Sequence, residues 1–208
     1  RVSLPSYFYI PAELYYNFGP VLAKQIIKNG KMEALNTALY GYVDNGLNTL
    51  PTSEQIYAPD KFFTNERYEE LVVDSIELDG FMLIDEGSVG ALDLVYLMQD
   101  KIGQKNAINA AVGIGGGSWK DYVNDSGELL MTLKLSGDNS TELQEIYDTF
   151  ILWAEAQSRF VVGDSLVGGN LFTGDTNFWI SKDQSHIRIV LSQNIDLLNS
   201  ISSQLNNF

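Results

Sequence analysis

Cysteine is absent from this chain. That excludes disulfides, thiol catalysis and thiolate metal sites, and it leaves the redox compartment open. Histidine occurs once, at His186, so a histidine-rich zinc centre is excluded as well. Basic residues are scarce: 13 Lys and Arg stand against 27 Asp and Glu, for a net charge of −14, and no Lys/Arg cluster interrupts the acid. Such a field repels phosphate backbones, and no nucleic-acid partner is expected. The acidic residues are scattered rather than gathered in a tail, which describes a solvated surface and not a disordered segment. No apolar run reaches the ~18 residues that mark a bilayer-spanning helix, so no transmembrane segment is expected in this chain.

What is present supports a folded body. Hydrophobic residues make up 45% of the 208, enough for a packed core. The chain begins at Arg1 rather than Met, as a processed protein or a fragment would. Residues 1–20 form an aromatic arm that holds Tyr7, Phe8, Tyr9, Tyr15, Tyr16 and Phe18. Pro5 and Pro11 keep its first part extended. An arm of this kind lies across its own domain or docks on a neighbour.

From Pro20 the spacing turns helical. Val21, Leu22, Ile26 and Ile27 predict one helix ending at Asn29-Gly30, and Met32, Leu35, Leu39 and Val43 a second ending at Asn45-Gly46. A loop over 48–65 separates this N-terminal arm and helical layer (1–65) from an α+β sheet domain (66–208) that forms one compact unit. Leu71–Leu78 and Phe81–Ile84 read as strands, joined by Asp79-Gly80 as a hairpin or continuous across a kink there. Ser88 caps a helix to about Gly103, with Val89, Leu92, Val95, Tyr96 and Ile102 inward. A central strand follows over Ala107–Ile114 and runs into a bend at Gly115, Gly116 and Gly117. Leu129–Leu135 is a strand, and a helix opening at Asn139 or Thr141 follows, with a Thr141/Gln144 capping box. Phe160–Val162 is a strand entering a loop with Gly163, Gly168 and Gly169. Phe178–Leu191 is a hairpin turning at Lys182–Ser185, and a short helix runs from Ile195 to Leu205.

Over 71–167 the order strand, helix, strand, strand, helix, strand matches the split βαβ arrangement. The fold expected is α+β: a ferredoxin-like core with helices on one face of an antiparallel sheet, an N-terminal helical layer, a C-terminal hairpin and a short helix.

No chemical motif completes itself. After the three glycines, Ser118-Trp119-Lys120 stands out of register for a phosphate loop. A dinucleotide fingerprint starting at Gly113 and Gly115 finds Ser at its third glycine. A backbone nest for an anion stays open at this bend. Asp79-Gly-Phe-Met-Leu-Ile-Asp-Glu86 resembles, over eight residues, the active-site strand of family 18 glycoside hydrolases. Asp79, Gly80 and Glu86 hold that family's spacing, but Met82 and Ile84 stand where its inner aspartates orient the substrate, so the activity is not assigned. No Gly-x-Ser-x-Gly elbow accompanies His186. Asn124–Glu128 has a trace of a calcium loop and reads as a turn, as do the sequons at Asn124 and Asn139. No cofactor and no metal ligand set are expected, although a carboxylate calcium site stays open.

Trp153 belongs to a helix stripe, whereas Trp119 and Trp179 are candidates for contact with a partner. The chain therefore reads as a non-enzymatic protein–protein interaction or assembly module, a cell-envelope or structural subunit. Its candidate binding residues are Tyr7, Phe8, Tyr9, Gly115, Gly116, Gly117, Trp119 and Trp179, and its partner is another protein or a second copy. The alternative is an extracytoplasmic ligand-binding or sensor domain of a membrane receptor or transporter, taking a small molecule at the glycine-rich loops. Both readings place the chain outside the cytoplasm or at the cell surface.

Overall fold

The structure, a computed structural model, describes residues 19–44, 52–64, 66–74, 76, 78–157, 161–163 and 168–205. The aromatic arm, with Tyr7, Phe8 and Tyr9, lies outside the described residues. The chain divides into two compact units, one of residues 1–68 and 90–112 and one of residues 69–89 and 113–208.

The first unit is helical. Helix α1 (Gly19–Asp44) is broken at Lys31, which has φ 58° and ψ −165°. The break falls where Asn29-Gly30 ends the first predicted helix. Leu22, Ile26, Ala38 and Phe62 form its apolar cluster, with Ala34, Leu35 and Ile56 against it. The inward stripe is narrower than the sequence spacing implies, because Val21, Met32 and Leu39 are exposed. A 3₁₀ turn (Glu54–Ile56) and α2 (Asp60–Phe63) follow. Lys61 Nζ there bridges Glu54 Oε1 at 2.7 Å and Glu66 Oε1 at 2.5 Å. Helix α3 (Ala91–Ile102) starts two residues later than Ser88 predicts. Its cap is Gly90, whose N–H donates to Asp93 Oδ2 at 2.9 Å. Helix α4 (Gln104–Ala111) replaces the predicted central strand. Its residues Ala107, Ala110 and Ala111 are buried at helical spacing, and alanine is the best helix former.

The second unit is an antiparallel sheet of seven strands in the order β1-β2-β3-β7-β6-β5-β4. These are β1 (Phe81–Ser88), β2 (Ile114–Asn124), β3 (Leu129–Gly137), β4 (Val161–Val162), β5 (Gly169–Thr173), β6 (Asn177–Lys182) and β7 (His186–Ser192). Strand β4 is two residues long, so six strands carry the sheet. The predicted β6–β7 hairpin forms with its turn at Asp183. Helix α5 (Ser140–Glu155) opens at Asn139, whose Oδ1 accepts from the N–H groups of Thr141 and Glu142. Asn139 Nδ2 also donates to Glu142 Oε2, so the cap pair is Asn139/Glu142 and not Thr141/Gln144. Helix α6 spans Ile195–Leu205.

The protein is thus α+β, but the ferredoxin-like topology is not confirmed. In the split βαβ order the first two strands run parallel with another between them. Here β1 and β2 are antiparallel neighbours. Residues 104–111 are helix rather than strand, so two helices rather than one lie between them along the chain. Nor are the helices on one face. Trp153 of α5 packs on Phe178 of β6, ring centroids 5.7 Å apart, while the next residue, Trp179, joins Leu198, Ile201 and Leu205 of α6 in a cluster. Successive strand residues face opposite ways, so α5 and α6 cover opposite faces of the sheet.

The expected Leu71–Leu78 strand is absent among the described residues. Its described residues instead lie on the α6 face as a strap. Glu69 N–H donates to Gly115 O at 2.6 Å, Val73 is buried, and Ile76 and Leu78 pack against the Trp179 cluster. Asp79-Gly80 is a turn, with Gly80 at φ 76°, and it leads from strap to strand rather than closing a hairpin. Asp74, Ile76 and Leu78 alternate along the strap and meet the sheet through ion pairs and apolar packing rather than through a strand ladder.

Candidate functional site

The glycines at 115–117 do not reverse the chain; they lie in β2, whose register with β3 slips at Gly115. Their use is close approach. A Cβ on Gly116 would overlap the carbonyl oxygen of Glu69, and one on Gly117 would meet Leu135 Cδ2 at 2.6 Å. The site expected there is therefore the seat of the strap, filled by the protein itself. Trp119 is half-buried on β2 and lies against Gly87 of β1. Trp179 is 0% exposed and belongs to the core, out of reach of a partner on the folded domain. Gly115–Gly117 and Trp119 share one strand, but Trp179 is not brought to them. Asn124–Glu128 is a turn: Asn124 Oδ1 accepts from Ser126 and Glu128 N–H groups at 3.1 and 2.9 Å.

Two arrangements escape the sequence reading. The first is at the polar end of the α6 face. Lys134 of β3 and Arg188 of β7 are paired in register, and Ser136 stands opposite His186 beside them. Asp74 of the strap takes both cations, Lys134 Nζ on Oδ1 at 2.6 Å and Arg188 Nε on Oδ2 at 2.7 Å. Arg188 Nη1 also donates to Asp183 Oδ2 at 2.5 Å. With Gln184, Ser185 and His186 these residues line an open cleft of about 480 Å³.

Burial alone would raise the Asp74 carboxyl, but the hydrogen bonds from Lys134 and Arg188 outweigh it and hold it below its ordinary value. Asp183 behaves alike: against burial, Arg188 and the Ser185 and His186 amides bring it to about 2. Burial, followed by the charge of Lys134, depresses His186, so its ring is neutral at pH 7. Two cations are thus matched by two carboxylates. A signal for this existed: Lys134 and Arg188 are the basic residues that interrupt two otherwise apolar alternating strands.

The second arrangement is the β1 edge. Strand β1 ends the sheet, and Met82, Leu83 and Ile84 are 62%, 47% and 54% exposed. The register slips between Leu83 and Asp85, which leaves Ile84 as a bulge. On the α5 face, Met82 aligns with Val123 and, through β2, with the exposed Leu129. Next to this strip Asp85 stands directly opposite Asp121. Burial, and then the charge of Asp85, raise the Asp121 carboxyl. Neither Asp85, Asp121 nor Glu86 forms an ion pair with a described residue. Glu86, which the glycosidase-like spacing singled out, is exposed on this edge. Among the described residues no helix is long and apolar enough to cross a membrane. No family model, curated protein or solved structure matches the chain.

Proposed function

We propose that this chain is a non-catalytic protein-interaction module that docks through its β1 edge. The observation that carries the reading is an eight-residue terminal strand with three consecutive apolar side chains in water. Natural sheets blunt such edges with short strands, lysines or proline, because unpaired backbone groups recruit another strand. At the opposite edge of this sheet, β4 has two residues among those described. Strand β1 carries no lysine and no proline. Its blunting devices are the bulge at Ile84 and the acids Asp85 and Glu86, and strand addition at such an edge is a recurrent mode of peptide recognition.

The test is a photo-crosslinking residue at position 84 in the protein's own host, with the same residue at position 152 as control. Leu152 is also exposed, at 47%, on α5. The expected result is a protein adduct from 84 and none from 152. Equal adducts, or none, would set the reading aside. The second reading, a ligand-binding domain, rests on the open cleft around Arg188. It ranks lower because both cations there already hold carboxylates.

A further inference from the structure

Resting on that reading, we infer that the strand received by β1 carries a basic residue beside an apolar one, and comes from a different protein rather than a second copy. Two features of the edge select this occupant. Met82 offers apolar surface on the α5 face, in line with Val123 and Leu129, and Ile84 is exposed at the bulge beside it. A strand added beside β1 would place its alternate side chains against them, with the same two-residue period. Immediately along that face lie Asp85 and Asp121, opposite each other across the ladder. Like charges in directly opposed positions destabilise a sheet, and no described cation relieves them. A Lys or Arg on the incoming strand, opposite Asp85 and within reach of Asp121, would.

Charge also decides against self-pairing. A second copy brings another −14 of net charge. It would also bring a second β1, whose charged residues are Asp85 and Glu86. Two such edges gain apolar contact but leave the acids unrelieved, whereas a basic strand gains both. Lys120 does not fill this role: it lies opposite Glu86 and so on the other face of the sheet.

The experiment uses the whole chain and two synthetic strand peptides of alternating valine and threonine, with lysine at one inward position in the first and glutamate there in the second. Binding is followed by amide hydrogen exchange at 81–88 and by titration. The lysine peptide is expected to slow exchange across 81–88 and to bind on the order of tenfold more tightly than the glutamate peptide. The double variant Asp85→Asn/Asp121→Asn should close most of that gap without lowering the melting temperature. Equal binding of both peptides with β1 protected would overturn the basic partner and leave edge docking standing. Failure of both peptides to protect β1 would overturn both. Protection that grows with protein concentration and no peptide would make the occupant a second copy, and overturn the inference in that way.

Discussion

Asp74 and Asp121 belong to the same sheet unit and are both half-buried, yet they face opposite surfaces and opposite electrostatics. Asp74 is gripped by Lys134 and Arg188 at 2.6 and 2.7 Å. Asp121 has Asp85 as its cross-strand neighbour and forms no ion pair among the described residues. Burial pushes both carboxyls up, but Asp74 ends below its ordinary value and Asp121 above it. The difference separates a carboxylate that holds the fold from one that the fold tolerates. Asp74 fastens the strap to β3 and β7. Asp121 leaves an electrostatic cost unrelieved beside an open edge, where an incoming cation would remove it.

The largest way to break this contrast is Asp74→Ala. Removing it leaves Lys134 and Arg188, 14% and 9% exposed, without their shared acceptor. Removing one partner of a buried pair costs about 3 kcal/mol or more, and the melting temperature of the sheet unit should fall by roughly 6–10 °C. The pH dependence has a definite sign. The folded-state values of Asp74 and Asp183 are depressed, so their stabilisation is full above the unfolded carboxylate range. It is lost as pH falls toward the folded value, about 2 for Asp183. Acid titration followed by circular dichroism should show that loss in the parent, and in Asp74→Ala only the part carried by Asp183, which keeps Arg188. An unchanged melting curve would mean that the ion pairs do not hold the strap.

Gly116→Val attacks the same strap through its backbone. The added Cβ overlaps the Glu69 carbonyl, so Glu69 must withdraw from β2, at a cost of ~2 kcal/mol. Amide exchange should speed up at Glu69, whose N–H donates to Gly115 O, while α5 stays protected. A uniform change across the sheet would show that the strap is not a separate element.

These particulars also show which parts of the fold the sequence made legible. Strand β3, the β6–β7 hairpin, α5 and α6 were readable because each carries a local period and its own cap or turn, such as Asn139 before α5. The strap and α4 were not. Leu71–Leu78 alternates like a strand but meets the sheet face-on, and Ala107–Ala111 reads equally as strand or helix until its burial is known. Periodicity alone does not separate such short apolar runs. The glycines were conspicuous, but whether they bend the chain or admit a neighbour depends on Glu69, about forty-six residues earlier by chain position. The charge cluster joins Asp74 to Arg188, which are 114 positions apart, so no local pattern contains it.

The smallest effect is the most discriminating. Asp121→Asn keeps the shape of the side chain and removes one of two opposed charges. If Asp121 is merely tolerated, the variant should be more stable than the parent at pH 7, by ~0.5 kcal/mol, or roughly 1–2 °C. The sign with pH is opposite to that of Asp74. A carboxyl whose folded value is raised costs stability when ionised, so the parent regains the difference as pH falls below that value and both forms become neutral. The gain from Asp121→Asn should therefore shrink to nothing by about pH 3, where that from removing a stabilising acid would be changing fastest. Melting curves of parent and variant at pH 7, 5 and 3 read this directly. A variant less stable than the parent at pH 7 would show that Asp121 has a stabilising role in the isolated chain, and the contrast between the two carboxylates would fail.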